Sequence, residues 1–126
     1  MKTETTMKSG FTLVEIMIVI AIIGLLAAIA IPNILRAREV SQLNTIYSNL
    51  RMIESTKDQW ALENKQGTGT AVTGLNIISE YIKGGVIKLV VGETYAPNSI
   101  GTAATAVVTV KLGTYNSGST IIAPPF

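Results

Sequence analysis

A single carboxylate, Glu15, stands four residues after Phe11 at the head of a run, residues 11–31, that holds no other charge. An ionisable group in so apolar a setting is costly to hold alone, so it marks a functional position once a partner can be named. The candidate partner is an amine. A cut between Gly10 and Phe11 would place a new amino terminus, and with it a cation, at the head of the same helix. Four residues of helix rise only ~6 Å. Amine and carboxylate can therefore meet within one chain at i, i+4, or between two chains held at one axial stagger. This is pairing chemistry, which sets register and positions chains.

Catalytic chemistry has little to work with. The chain contains neither His nor Cys, so no Ser-His-Asp or Cys-His set can be assembled and the commonest general base is missing. Disulfides and cysteine metal sites are excluded as well. Gly67 and Gly69 are not followed by Gly-Lys-Ser/Thr, so they form no phosphate loop. Beyond residue 66 the only carboxylates are Glu80 and Glu93, too few for more than a weak calcium site, which takes about six to eight oxygens. We therefore expect neither a metal nor a cofactor, and no enzyme.

The elements that carry Glu15 can be read from periodicity. Residues 11–31 are 21 in number, about 31 Å of helix, close to the hydrocarbon thickness of a bilayer. The whole chain has 126 residues and a mean hydropathy of +0.43, with the apolar excess confined to residues 11–35. Without the first ten residues, eight basic and seven acidic residues remain. That balance does not suggest nucleic acid despite a pI near 9.0. A core helix greasy on every face would need a larger protein around it. An ordinary secretory signal, with Lys2 and Lys8 leading and Ala28-Ile29-Ala30 as its cleavage site, has a shorter apolar core than this run. Two basic residues flank the segment on each side, Lys2 and Lys8 before, Arg36 and Arg38 after, so charge alone does not orient it.

Pro32 follows the membrane-length run and is expected to kink the helix, since helical spacing resumes after it. Leu43, Ile46, Tyr47, Leu50, Ile53 and Trp60 form one stripe, with Arg51, Glu54, Lys57, Asp58 and Glu63 placed mainly off it. Glu54 can pair with Lys57 at i+3. Tyr47 and Trp60 are read as core packing. One helix over residues 11–64 follows, ended by Gly67 and Gly69. Thereafter Gly, Thr, Ser and Val replace helix formers. Residues 66–74 read as a loop, and 76–83 as a short helix stopped by Gly84 and Gly85. Residues 86–91, 106–112 and 119–123 read as short antiparallel strands, with Ile87, Leu89, Val91, Val108, Val110 and Leu112 facing inward. Their apolar face is expected to cover the Leu43-to-Trp60 stripe.

Lys8-Ser9-Gly10 followed by Phe11-Thr12-Leu13-Val14-Glu15 and an aliphatic run resembles the type III signal of the type IV pilin superfamily, which includes pilins and the pseudopilins of type II secretion. The likeness is close over residues 8–32. A weaker one, through 59–64, 81–85 and 92–95, is to a pseudopilin-type branch whose members often carry cysteines that this chain lacks. The resemblance implies an α+β, pilin-like fold with a long amino-terminal helix, transmembrane in its first half, packed against a small antiparallel sheet. It implies a leader of residues 1–10, an assembly helix of 11–35, an amphipathic helix of 36–65 and a loop-rich β domain of 66–126. A prepilin peptidase would cut at Gly10–Phe11 and methylate the Phe11 amine. An assembly platform and ATPase would then move subunits from the inner membrane, amino end cytoplasmic, into a helical homo-oligomer. Glu15 with Phe11 would set register there. A secretion pseudopilus is the first expectation, a surface pilus the second. A tethered module that never polymerises and a soluble domain cut after Ala30 are further alternatives.

Overall fold

The computed structural model describes residues 1–2 and 9–125; Lys8 and Phe126 lie outside the described residues. One helix dominates, α1 (Leu13–Glu63), 51 residues with Pro32 inside it. It is followed by the four-residue helix α2 (Leu75–Ile78), a 3-10 turn over Ser79–Tyr81, and strands β1 (Thr94–Ala96), β2 (Thr105–Val107) and β3 (Thr120–Ile122). The chain divides into two compact units, Met1–Leu35 and Arg36–Phe126.

In the first unit an 18-residue window of the helix reaches a mean hydropathy of 2.9 with none of it buried, so α1 is long and apolar enough to cross a membrane. Every described residue from 9 to 35 is exposed except the half-buried Ala27. A helix without a polar face and without cover is matched to lipid or to other helices.

In the second unit the three strands pair antiparallel in sequence order. Tyr95 stands opposite Ala106, and Ala106 opposite Ile121. These three central residues are the buried ones, while Val107 and Ile122 face out at 39% and 60% exposure. The inward row joins Ile46, Leu50 and Ile53 of α1 in one core, together with Ile78, Ile82 and Val108. The expected packing of a sheet on the helix stripe is thus present. Truncating any one of the three buried α1 side chains to Ala would cost about 2–5 kcal/mol.

Several local expectations are corrected. Residues 86–91 form no strand; Val86 and Leu89 are exposed, and only Ile87 is buried. The reason lies in Glu93, whose carboxylate takes the N–H groups of Val90 and Val91 that a ladder would need. The first strand is β1, where one apolar residue between two small ones gave too little alternation to read. The middle strand ends at Val107 rather than Leu112, because Val108 already exchanges hydrogen bonds with Ser119 and Gly118 as the chain turns. Val110 consequently faces solvent at 46% exposure, whereas Leu112 is buried.

α1 ends at Glu63, before the glycines. Gln66 N–H bonds the Ala61 carbonyl at 2.8 Å and Lys65 N–H the Leu62 carbonyl at 3.4 Å, with Lys65 at φ 52°. This is a Schellman closure in which lysine occupies the left-handed position usually taken by glycine.

Candidate assembly terminus and its supporting domain

Thr12 precedes the first helical residue and faces Glu15 three positions on. The Thr12 hydroxyl accepts from Glu15 N–H at 3.2 Å, and a Glu15 carboxylate oxygen accepts from Thr12 N–H at 2.7 Å and from the Thr12 hydroxyl at 3.0 Å. The two residues form a reciprocal capping box, which satisfies two donors that a helix start leaves open. Glu15 thus holds its own helix end, where an anion also complements the helix dipole. The pattern Thr-x-x-Glu was visible in the sequence, and Thr12 is the residue that the pairing argument left out.

Phe11 lies beside this cap at 87% exposure. At Gly10 an added Cβ would meet nothing within 4 Å. The fold of this chain therefore places no demand for glycine there, and any such demand comes from whatever handles the chain. Pro32 lies within continuous helix, and Asn33 Nδ2 donates to the Ile29 carbonyl at 3.1 Å one turn back. Proline's lack of an N–H leaves the Ala28 carbonyl without its i+4 donor.

The second unit is tied to α1 by polar side chains at successive levels. Tyr47 and Tyr115 hydroxyls meet at 3.0 Å. Asn49 Nδ2 donates to the Tyr95 hydroxyl at 2.9 Å and to the Lys88 carbonyl at 3.1 Å. Tyr95 in turn donates to Glu93 at 2.7 Å. Burial pushes the Glu93 carboxyl up, but donors from Val91, Tyr95 and Val90 outweigh it and hold it below its ordinary value. Burial, with the carboxylate beside it, raises the Tyr95 hydroxyl although Asn49 opposes the shift. Glu93 is thereby a staple for its own loop, with both oxygens engaged.

Lys57 corrects the reading of the stripe. Its side chain is fully buried and its ammonium donates to Glu54 at 3.1 Å, to the Pro97 carbonyl at 2.9 Å and to the Thr102 carbonyl at 2.6 Å. All three ammonium donors are used, and the expected Glu54–Lys57 pair is present. Glu54 also accepts from Ala104 N–H. Position 57 follows 46, 50 and 53 in the same i, i+4, i+7 series, so the spacing placed it inward and only its charge suggested otherwise. Among the described residues no group of three or more acidic side chains is arranged to hold a metal.

An apolar helix opened by a capped carboxylate and backed by a small helix-on-sheet domain is the pilin-like α+β class, and known sequences agree. The family described as the prokaryotic N-terminal methylation motif matches residues 5–31. The chain is 43% identical over 75 residues to the "Fimbrial protein" of Moraxella nonliquefaciens, covering 57% of this chain and 49% of that protein. It is 39% identical over 57 residues to "Type II secretion system core protein G" of Klebsiella pneumoniae, covering 45% and 41%. With "Type IV major fimbrial protein FimA" of Dichelobacter nodosus it shares 40% over 62 residues, covering 49% and 40%. The chain spans less than half the length of these relatives. Its amino terminus thus matches the methylation motif, and the chain resembles type IV fimbrial proteins and type II secretion core proteins G over about half its length. No solved structure is a significant match.

Proposed function

We propose that this protein is a structural subunit of a type IV pilus-like filament, and in particular a pseudopilin of a type II secretion-like machine. The observation that carries the reading is the uncovered, membrane-length first half of α1, opened by Glu15 inside a prepilin-type motif. Such a helix is stable in lipid before assembly and among identical helices after it. A contact that repeats without closing generates an open filament.

In this reading a prepilin peptidase cuts between Gly10 and Phe11 and methylates the Phe11 amine. The subunit waits in the inner membrane as a single span with its amino end cytoplasmic, and a platform and ATPase then transfer it to the filament. Its role is structural, not catalytic. The Glu15 carboxylate pairs in the dry filament core with the Phe11 amine of a neighbouring subunit, in competition with its own Thr12 cap. Pro32 supplies the point at which the helix kinks as subunits pack. A filament map with straight, unbroken helix through residues 26–38 would remove that last element.

The test of the whole reading is the mature amino terminus. Intact-mass and peptide analysis is expected to find N-methylated Phe11; a chain starting at Ile31 would overturn both processing and filament. A surface pilus subunit is the second reading, favoured by the longer stretch matched in the Moraxella fimbrial protein than in the Klebsiella secretion protein. Deletion separates the two: loss of secreted proteins marks the pseudopilus, and loss of sheared surface filaments marks the pilus. A tethered module that never polymerises would be indifferent to the peptidase.

A further inference from the structure

We infer that Asn116 is a site of self-modification: its side-chain amide loses ammonia to the following backbone nitrogen and becomes aspartate or isoaspartate, while the fold guards the other asparagines. The inference stands independently of the filament reading.

Deamidation of an asparagine needs two free groups. The N–H of the next residue must be uncommitted, so that its nitrogen can attack, and the side-chain amide must be free to swing onto it. The next residue must also be small enough to leave the approach open. Seven asparagines are present. Asn33, Asn44 and Asn49 lie inside α1, where the following N–H belongs to the helix ladder. Asn64 and Asn76 precede turns with the same effect: Lys65 N–H bonds the Leu62 carbonyl at 3.4 Å and Ile77 N–H the Gly74 carbonyl at 3.3 Å. Asn98 and Asn116 are the two followed by serine. Asn98 is half-buried, and its Nδ2 donates to the Ala103 carbonyl at 2.8 Å and to Thr105 Oγ1 at 3.3 Å.

Asn116 has both groups free. Its side chain is exposed and bonds no described residue, and Ser117 N–H has no acceptor among the described residues. The turn around that nitrogen is nevertheless held. Ser117 Oγ donates to the Thr109 carbonyl at 2.7 Å, Gly118 N–H to the Val108 carbonyl at 2.7 Å and Ser119 N–H to the Asn116 carbonyl at 2.9 Å. Gly118, at φ 83°, supplies the left-handed residue that such a turn takes at its third position.

The chemistry needs water and nothing else. The Ser117 nitrogen attacks Asn116 Cγ; the N–Cγ bond forms, the Cγ–Nδ2 bond breaks, and ammonia leaves with the amide proton. A cyclic imide results, which water opens at either carbonyl. Opening at Cγ leaves aspartate on an ordinary backbone. Opening at the main-chain carbonyl leaves isoaspartate, with the chain routed through Cγ. That second product converts the Asn116 carbonyl, which accepts from Ser119, into a free carboxylate. It therefore breaks the turn leading into β3, whereas aspartate keeps it. Either product lowers the net charge of +2 by one.

The experiment ages the full chain in detergent at mildly alkaline pH, folded or in denaturant, and reads every asparagine by peptide mass spectrometry. In the folded chain Asn116 is expected to convert at least about tenfold faster than Asn98, because two hydrogen bonds must break to free the Asn98 side chain. In denaturant the two rates should converge. Ser117→Ile, which crowds the attacking nitrogen, should slow conversion at position 116 and leave Asn98 unchanged. Equal rates at Asn98 and Asn116 in the folded chain overturn the inference. So does a preference that persists in denaturant, which would belong to local sequence and not to the fold. An Asn116 that converts in denaturant but stays intact in the folded chain would show that the turn blocks the attack, and would also overturn it.

Discussion

At the scale of single residues, two buried charges decide how the domain holds its helix. Lys57 is saturated by one carboxylate and two carbonyls, so removing either member of the pair strands the other. Glu54→Leu, which leaves the ammonium buried with one acceptor fewer, is expected to cost about 3–5 kcal/mol, and Glu54→Leu with Lys57→Met clearly less. Denaturant unfolding of the three chains in the same detergent measures this. Glu93 gives a pH dependence of known sign. Its folded-state pKa lies below the ordinary 4.5, so its contribution is complete above that value and is lost as pH falls through the depressed one. Glu93→Gln is expected to lower stability at neutral pH by about 2–3 kcal/mol and to flatten this part of the acid limb. A variant whose melting temperature falls as steeply below pH 4.5 as the parent's would contradict the assignment.

At the scale of elements, the helix was legible and the sheet only in outline. A 51-residue helix announces itself through an apolar run and a continuing stripe, because those signals accumulate over many turns. Three-residue strands carry one inward side chain each, and such short alternation also appears where no ladder forms, as at residues 86–91. What overrode it was a side chain, Glu93, competing for backbone donors, and nothing in local spacing reports that competition. The helix end, expected at residue 64, falls at Glu63, yet Lys65 rather than Gly67 or Gly69 takes the left-handed turn that closes it. A residue with a Cβ pays roughly 1 kcal/mol there. Lys65→Gly is therefore expected to stabilise the domain by several tenths of a kcal/mol to about 1 kcal/mol, since added freedom in the unfolded chain offsets part of the relief. Gly101→Ala should do the reverse by at least ~1 kcal/mol. Its φ is 82°, and its new methyl would stand 2.6 Å from Thr68 Cγ2. Thermal melts of both variants test the pair.

At the scale of the whole molecule, the amino-terminal motif was readable because an isolated charge in an apolar run has few explanations, while the pairing of Glu15 with Phe11 belongs to the proposed function. The Thr12 cap changes what the Glu15 substitution is expected to do. On the proposed reading Glu15→Val removes a register group as well as the observed helix cap, but residues 11–31 hold 20 further residues to keep the span in lipid. Glu15→Val is expected to be inserted and cut normally and to fail in efficient filament assembly, with Glu15→Asp partly impaired. Sheared-filament yield against membrane-bound, processed subunit reads this directly. Polymerisation of Glu15→Val at the parent rate would remove the register role.

The polar ties between α1 and the rest of its domain have a mechanical consequence. Tyr47, Asn49, Lys57 and Glu63 are spaced along one rod and bonded sideways to Tyr115, Tyr95, Thr102 and Tyr81 respectively. A pull along the rod loads all four together in shear, whereas peeling from one end would break them in turn. Rupture under axial tension therefore requires several bonds to fail at once, and its rate follows the barrier to unfolding rather than the equilibrium stability. Within the second unit, a load applied along the helix axis is thus shared among all four ties.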